Sequence, residues 1–67
     1  MKLYYNDERV AEFDEKSKSL HIDKAFTKID WQPDDLAYIS TFFVRAENYC
    51  MNLSNENMPD IKVFNRN

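Results

Sequence analysis

The chain has 67 residues and a formal net charge of −3, and it contains no glycine, one cysteine and two prolines. A chain of this length holds one small domain with a marginal core, so catalytic machinery divided between two domains is excluded. The absence of glycine excludes the glycine-rich loops that bind phosphate in nucleotide-binding proteins. A single cysteine excludes an internal disulfide and fits a reducing compartment.

Composition also bears on origin and location. The chain is rich in Asn, Lys, Phe and Tyr, whose codons are AT-rich, and this favours an AT-rich bacterium, or one of its phages or mobile elements, as the source. The sequence has no apolar run of the length that a signal peptide or a membrane span needs. We therefore expect a cytoplasmic protein without membrane contact.

The chain begins with the pattern of a β-hairpin. Residues 2–5 and 9–13 are rich in β-forming side chains, and the turn pair Asn6 and Asp7 lies between them. Since glycine is missing, backbone positions with positive φ are expected at Asn and Asp, which tolerate that conformation best after glycine.

A third strand is predicted over residues 19–23. The alternation there places Leu20 and Ile22 on the side that faces the core. Residues 27–31 alternate as well, so either a short fourth strand or an extended loop follows.

The clearest single element is an amphipathic helix over residues 33–51. Pro33 suits the first helical position, and Asp34 and Asp35 suit the first turn, where carboxylates interact well with the positive end of the helix dipole. At 100° per residue, the apolar face is expected to consist of Leu36, Ile39, Phe43, Ala46, Cys50 and Leu53.

The remaining residues complete an α+β fold in a single small domain, residues 1–67. Residues 52–59 are a connection, residues 60–64 a short C-terminal strand, and residues 65–67 a tail. The predicted architecture is a β-meander over residues 1–31 that forms a small antiparallel sheet, with one amphipathic helix packed on it. The C-terminal strand pairs either within the chain or with a neighbour.

The chemically active side chains do not form a convincing catalytic or metal site. His21 and Cys50 are the sole residues of their types, but Cys50 lies on the predicted apolar face and His21 on the solvent side of its strand. Helix capping and the helix dipole account for Asp30, Asp34 and Asp35 without a metal ion. We therefore expect no catalytic residues, no cofactor and no metal, and the chain is not predicted to be an enzyme.

The aromatic residues of the predicted helix favour binding to another protein. A single sheet covers only part of such a wide apolar stripe, and Tyr and Arg are frequent at interfaces. We expect an interaction surface, unless these rings complete the core, at Tyr38, Phe42, Arg45 and Tyr49. The predicted function is that of a small cytosolic interaction or regulatory factor that binds an unidentified protein or forms a homodimer.

The C-terminal strand supports an alternative function. Lys62, Phe64 and Arg66 alternate basic and aromatic side chains, as surfaces that stack on single-stranded nucleic acid do. A net charge of −3 weakens this interpretation, because nucleic-acid binding depends on positive charge. A nucleic-acid-binding regulator is therefore the second hypothesis.

Overall fold

A computed structural model describes residues 1–51 and 58–64 of the chain. The elements are β1 (Lys2–Tyr5), β2 (Glu8–Asp14), β3 (Ser19–Ile22), α1 (Lys24–Lys28), a 3₁₀ turn (Pro33–Asp35), α2 (Leu36–Cys50) and β4 (Ile61–Val63). The strands lie in the order β3-β2-β1-β4, with β4 parallel to β1 and the other neighbours antiparallel. This is the predicted α+β fold, and the pairing of β4 with β1 shows that the C-terminal strand pairs within the chain.

The hairpin between β1 and β2 closes with a two-residue turn. Asn6 and Asp7 have φ values of 50° and 67°, and Tyr5 pairs with Glu8 across the turn. Two successive positive φ angles match the twist of the flanking strands, which is why Asn and Asp occupy a tight hairpin that lacks glycine. Lys18, with a φ of 57°, departs from the expectation that only Asn and Asp take such positions.

A β-bulge allows β2 to bury two consecutive side chains. Leu3 pairs with Ala11 but Tyr4 pairs with Arg9, which leaves Val10 as the extra residue on β2. A bulge sets two residues against one and so interrupts the strict alternation of faces. Val10 and Ala11 are both fully buried as a result.

The prediction of a strand or extended loop over residues 27–31, and hence of a β-meander over residues 1–31, is wrong in part, because α1 is a helix. Phe26 contacts the ring of Trp31, with centroids 5.1 Å apart, and the Trp31 indole N–H donates a 2.9 Å hydrogen bond to the Phe26 carbonyl oxygen. Ala25, Phe26 and Ile29 all pack against the core. Their spacing of one and three residues suits one helical face better than a strand.

The long helix begins where the sequence predicts. Pro33 starts a 3₁₀ turn that leads into α2, and the buried Asp35 carboxylate accepts a 3.0 Å hydrogen bond from the Gln32 backbone N–H. That bond satisfies a donor at the helix start and accounts for the carboxylate without a metal ion. Residues 52–57 and 65–67, which hold most of the predicted connection and the whole predicted tail, lie outside the described residues.

The core lies between one face of the sheet and α2. It contains apolar side chains of β1, β2, β4 and α2. None of the buried core residues comes from β3. Buried residues of this core are Met1, Leu3, Val10, Ala11, Phe13, Phe42, Ala46, Ile61 and Val63.

The start of β1 is tied to the end of β2 by an ion pair. The amino group of Met1 donates to the Phe13 carbonyl oxygen at 3.0 Å and to Glu15 Oε1 at 2.6 Å. The hydrogen bond from the Met1 amine holds the pKa of the Glu15 carboxyl below its ordinary value of 4.5. Hydrogen bonds from the Lys16 backbone and the Ser17 side chain lower the pKa of Asp14 in the same turn.

Candidate functional site

The structure divides the predicted helix surface into buried and exposed halves. Phe42 is fully buried and Tyr49 packs edge-to-face on Phe13, with ring centroids 5.8 Å apart. Phe42 is therefore a core residue, so for this ring the alternative that it completes the core applies and not the binding surface. Tyr38 and Arg45 remain exposed on one flank of α2.

The difference from the predicted apolar face comes from the orientation of the helix. The side of α2 that packs on the sheet carries Phe42, Ala46 and Tyr49, so it is centred nearer to Phe42 than to Phe43. The expected apolar face is correspondingly rotated, and part of it is exposed to solvent. Its exposed members are Leu36, Phe43 and Cys50. Leu53 lies outside the described residues.

The strand β3 exposes apolar side chains on the side where the core lies. Leu20 pairs with Phe13 and Ile22 with Ala11, so both stand on the helix-facing side of the sheet, as predicted. They are nevertheless 47% and 38% exposed. The sequence shows that this strand is apolar and that the chain has one long helix. It does not show that the strand lies at the edge of the sheet, so the exposure could not be predicted without the strand order.

The opposite, or far, face of the sheet is polar and carries a small ion cluster. Arg9 donates to Glu12 at 3.0 Å and to Asp23 at 3.2 Å, and His21 lies 2.8 Å from the other oxygen of Asp23. These side chains are largely exposed, so solvent screens their attraction. His21 belongs to this face because it alternates with Leu20 and Ile22, which stand on the helix-facing side.

Three strands bring a second arrangement together on the far face. Tyr4 pairs with Arg9 on one side and with Lys62 on the other, so the register places a half-buried aromatic residue between two basic residues. Phe64 is exposed just beyond β4, and Arg66 lies outside the described residues. Lys62 and Phe64 were predicted from their alternation along the chain, whereas Tyr4 and Arg9 could not be, because only the strand register makes them neighbours of Lys62.

The described residues contain no arrangement that resembles a catalytic or metal centre. His21 is on the far face of the sheet whereas Cys50 is exposed on α2, on the other side, so the structure does not bring them together. The expectation that Cys50 lies in the core is wrong. Within residues 1–51 and 58–64 there is no cluster of three or more potential metal ligands, and no buried side-chain polar atom lacks a hydrogen bond.

Comparison with known proteins found no matching protein-family model, curated protein or solved structure. In the part of the chain that the structure describes, no helix is both long enough and apolar enough to cross a membrane.

Proposed function

We propose that the chain is a small cytoplasmic protein-binding module of bacterial or phage origin that acts by binding and not by catalysis. One observation carries the proposal: Leu20 and Ile22 are exposed on a strand whose outer backbone edge is free within the described structure. Apolar side chains next to open backbone hydrogen-bonding groups are what a docking strand requires, because the backbone supplies affinity and the side chains supply specificity.

The flank of α2 that carries Phe43 supports the same interpretation, because it also exposes a large apolar side chain. Phe43 packs edge-to-face on Phe26 of α1 at 6.5 Å but stays 36% exposed, and Cys50 continues the exposed flank one heptad later. Monomeric proteins bury most large apolar side chains or scatter them singly. Here Leu20, Ile22 and Phe43 are all exposed, and none of them belongs to the buried core.

Affinity capture from a lysate of an AT-rich bacterium tests the proposal. The immobilised wild-type chain is compared with a Leu20→Lys/Ile22→Lys variant and with a Val44→Lys control, since Val44 is 53% exposed on the solvent side of α2. We expect the wild type and the control, but not the β3 variant, to capture a stoichiometric protein, whether that is an added second copy of the chain or a protein of the lysate. Equal capture by all three folded proteins would contradict the proposal.

A second variant tests the exposed remainder of the predicted helix surface. Tyr38→Ala/Arg45→Ala removes the two residues of that surface that are exposed. If the partner contacts this flank of α2 as well, capture weakens in this variant but survives. If capture is lost here and kept in the β3 variant, the binding surface is the helix flank and not β3.

Binding of single-stranded nucleic acid is the second candidate function. The row of Lys62, Tyr4 and Arg9 on the far face favours it, because a ring between cations suits a base stacked beside its phosphates. Fluorescence anisotropy with a labelled oligonucleotide at low salt should then show binding that weakens in Tyr4→Ala and Lys62→Ala. Absence of binding by the wild type at low salt would exclude it.

A further inference from the structure

The outer edge of β3 has backbone groups that point away from the sheet. β3 is the last strand in the sheet order, with β2 as its neighbour. The Asp23 N–H donates to the Val10 carbonyl oxygen at 3.0 Å, so Asp23 faces β2, and by alternation His21 and Ser19 do as well. The N–H and C=O groups of Leu20 and Ile22 therefore point outward, where another strand can pair with them.

We propose that the strand that pairs with this edge is β3 of a second copy of the chain, antiparallel and related by a two-fold axis, so that the two sheets become continuous. This inference rests on the proposed function and names its partner. A two-fold contact is self-complementary, so each copy supplies both the backbone N–H donors and the backbone C=O acceptors of the pairing.

Two geometric conditions fix the register. Side chains that lie opposite each other must stand on the same side of the continuous sheet. Residues whose backbone N–H and C=O groups point outward must lie opposite each other, so that those groups can form hydrogen bonds. Both conditions hold when Leu20 pairs with Ile22 of the second copy and His21 faces its own counterpart at the axis.

The neighbouring registers fail because of the residues that flank the strand. Moving the copies by two residues in one direction pairs Ile22 with Lys18, whose φ of 57° takes it out of the extended conformation. Moving them in the other direction pairs Leu20 with Lys24, which is already in α1. The pairing of Leu20 with Ile22 is the register that uses the whole strand.

Charge at the two ends of β3 favours the antiparallel arrangement. Lys18 precedes the strand and Asp23 follows it, so an antiparallel copy brings the basic end of one strand toward the acidic end of the other. A parallel copy would bring like ends together. Lys24 stands outside the strand pairing, because α1 turns back toward the core through Phe26.

The small size of the contact limits the stability of the dimer. Pairing places Leu20 and Ile22 of each copy beside the same residues of the other, which covers part of the apolar surface that β3 exposes. A strand this short buries less than the roughly 800 Å² per partner of a standard interface. The dimer is therefore weak, and its population rises with protein concentration.

Disulfide trapping tests the pairing and its register together. In a Cys50→Ser background, His21→Cys places two thiols at a non-hydrogen-bonded pair with Cα atoms about 4.5 Å apart, within disulfide range. Ser19→Cys is the matched control on the same strand, because its two copies would lie about 13 Å apart. After mild oxidation we expect a covalent dimer of the His21→Cys protein and a monomer of the Ser19→Cys protein.

Sedimentation over a range of concentrations tests the reversible dimer. Ile22→Pro removes an outward N–H without breaking the ladder to β2, and proline is tolerated on such an edge. We expect reversible dimerisation of the wild type and of Val44→Lys, and loss of dimer in Ile22→Pro. If Ile22→Pro does not fold, the pair of cysteine variants still decides the question.

The outcomes separate this inference from the proposed function. A wild type that stays monomeric, or equal trapping at positions 19 and 21, overturns the second copy as the occupant. A dimer that Ile22→Pro leaves intact overturns it too. If the lysate experiment nevertheless yields a protein that only β3 variants lose, the proposed function stands and the occupant is a strand of that protein.

Discussion

The two edge strands of the sheet have the same pattern but different environments. β3 contains Leu20-His21-Ile22 and β4 contains Ile61-Lys62-Val63, so each has an apolar, a polar and an apolar residue in turn. Ile61 and Val63 are 7% and 1% exposed, whereas the two apolar residues of β3 are about half-exposed. The strand pattern therefore predicts which side a residue faces, but not whether that side is covered.

The dimensions of the helix explain the difference. A helix with its side chains is about 10–12 Å across, and neighbouring strands are about 4.8 Å apart. One long helix covers two to three strands of four, and α2 packs with β1, β2 and β4 in the core. The short α1 extends the cover only through Phe26 and its neighbours, and β3 is left exposed.

The largest expected effect is at the centre of the covered region. Phe42→Ala should lower the free energy of unfolding by about 3–5 kcal/mol, because the ring is fully buried and its removal leaves a cavity. Phe43→Ala is the matched control and should cost less than half as much, since Phe43 is partly exposed. Chemical denaturation measures both, and equal losses would show that the helix orientation is incorrect.

The comparison of the two edges can be tested with one substitution made twice. Ile61→Ala should destabilise the protein by about 2–5 kcal/mol, the usual range for a buried isoleucine. Ile22→Ala should cost about 1 kcal/mol when measured on dilute protein, because much of its side chain is already in water. Comparable losses at the two positions would mean that β3 is as well covered as β4.

A smaller effect concerns the pH dependence of stability through the ion pair of Met1 and Glu15. The hydrogen bond to the Met1 amine lowers the pKa of Glu15. The ion pair therefore stabilises the fold at pH values above the ordinary pKa of a glutamate. This contribution is lost as the pH falls through the lowered pKa. The partly exposed pair is worth about 0.2–1 kcal/mol. Glu15→Gln should remove that part of the acid sensitivity, with Glu8→Gln as control; unchanged sensitivity would contradict the ion pair.

The smallest effect is expected at the ion cluster on the far face of the sheet. Asp23→Asn weakens the contacts with Arg9 and His21 on the exposed far face, and such pairs contribute about 0.2–1 kcal/mol. We expect a change at the lower end of that range in the unfolding free energy of dilute protein. A loss of several kcal/mol would mean that the cluster, and not apolar packing, holds β3 on the sheet.

Local signals in the sequence were sufficient for much of the fold. The hairpin follows from Asn6 and Asp7, and the start of the helix follows from Pro33 with the acidic residues after it. The helix at Lys24–Lys28 could not be predicted in the same way, because the contact of Phe26 with Trp31 outweighs the alternation of residues 27–31.

The candidate site was less predictable, because it depends on tertiary arrangement. Phe42 and Phe43 are adjacent aromatic residues, and only the rotation of α2 on the sheet decides which of them is buried. Tyr4 gains its cationic neighbours through strand register, and Leu20 and Ile22 are exposed because β3 is at the edge furthest from α2. None of these features is encoded in a short segment.

Amide hydrogen exchange measured by NMR at two protein concentrations tests the central claim most directly. In dilute protein we predict fast exchange at the outward amides of Leu20 and Ile22 and protection at His21 and Asp23, which face β2. At high concentration Leu20 and Ile22 should gain protection, whereas the outward amide of Lys62 on β4 should stay fast. Protection of Leu20 and Ile22 that is already complete in dilute protein would contradict the claim that β3 is an open edge.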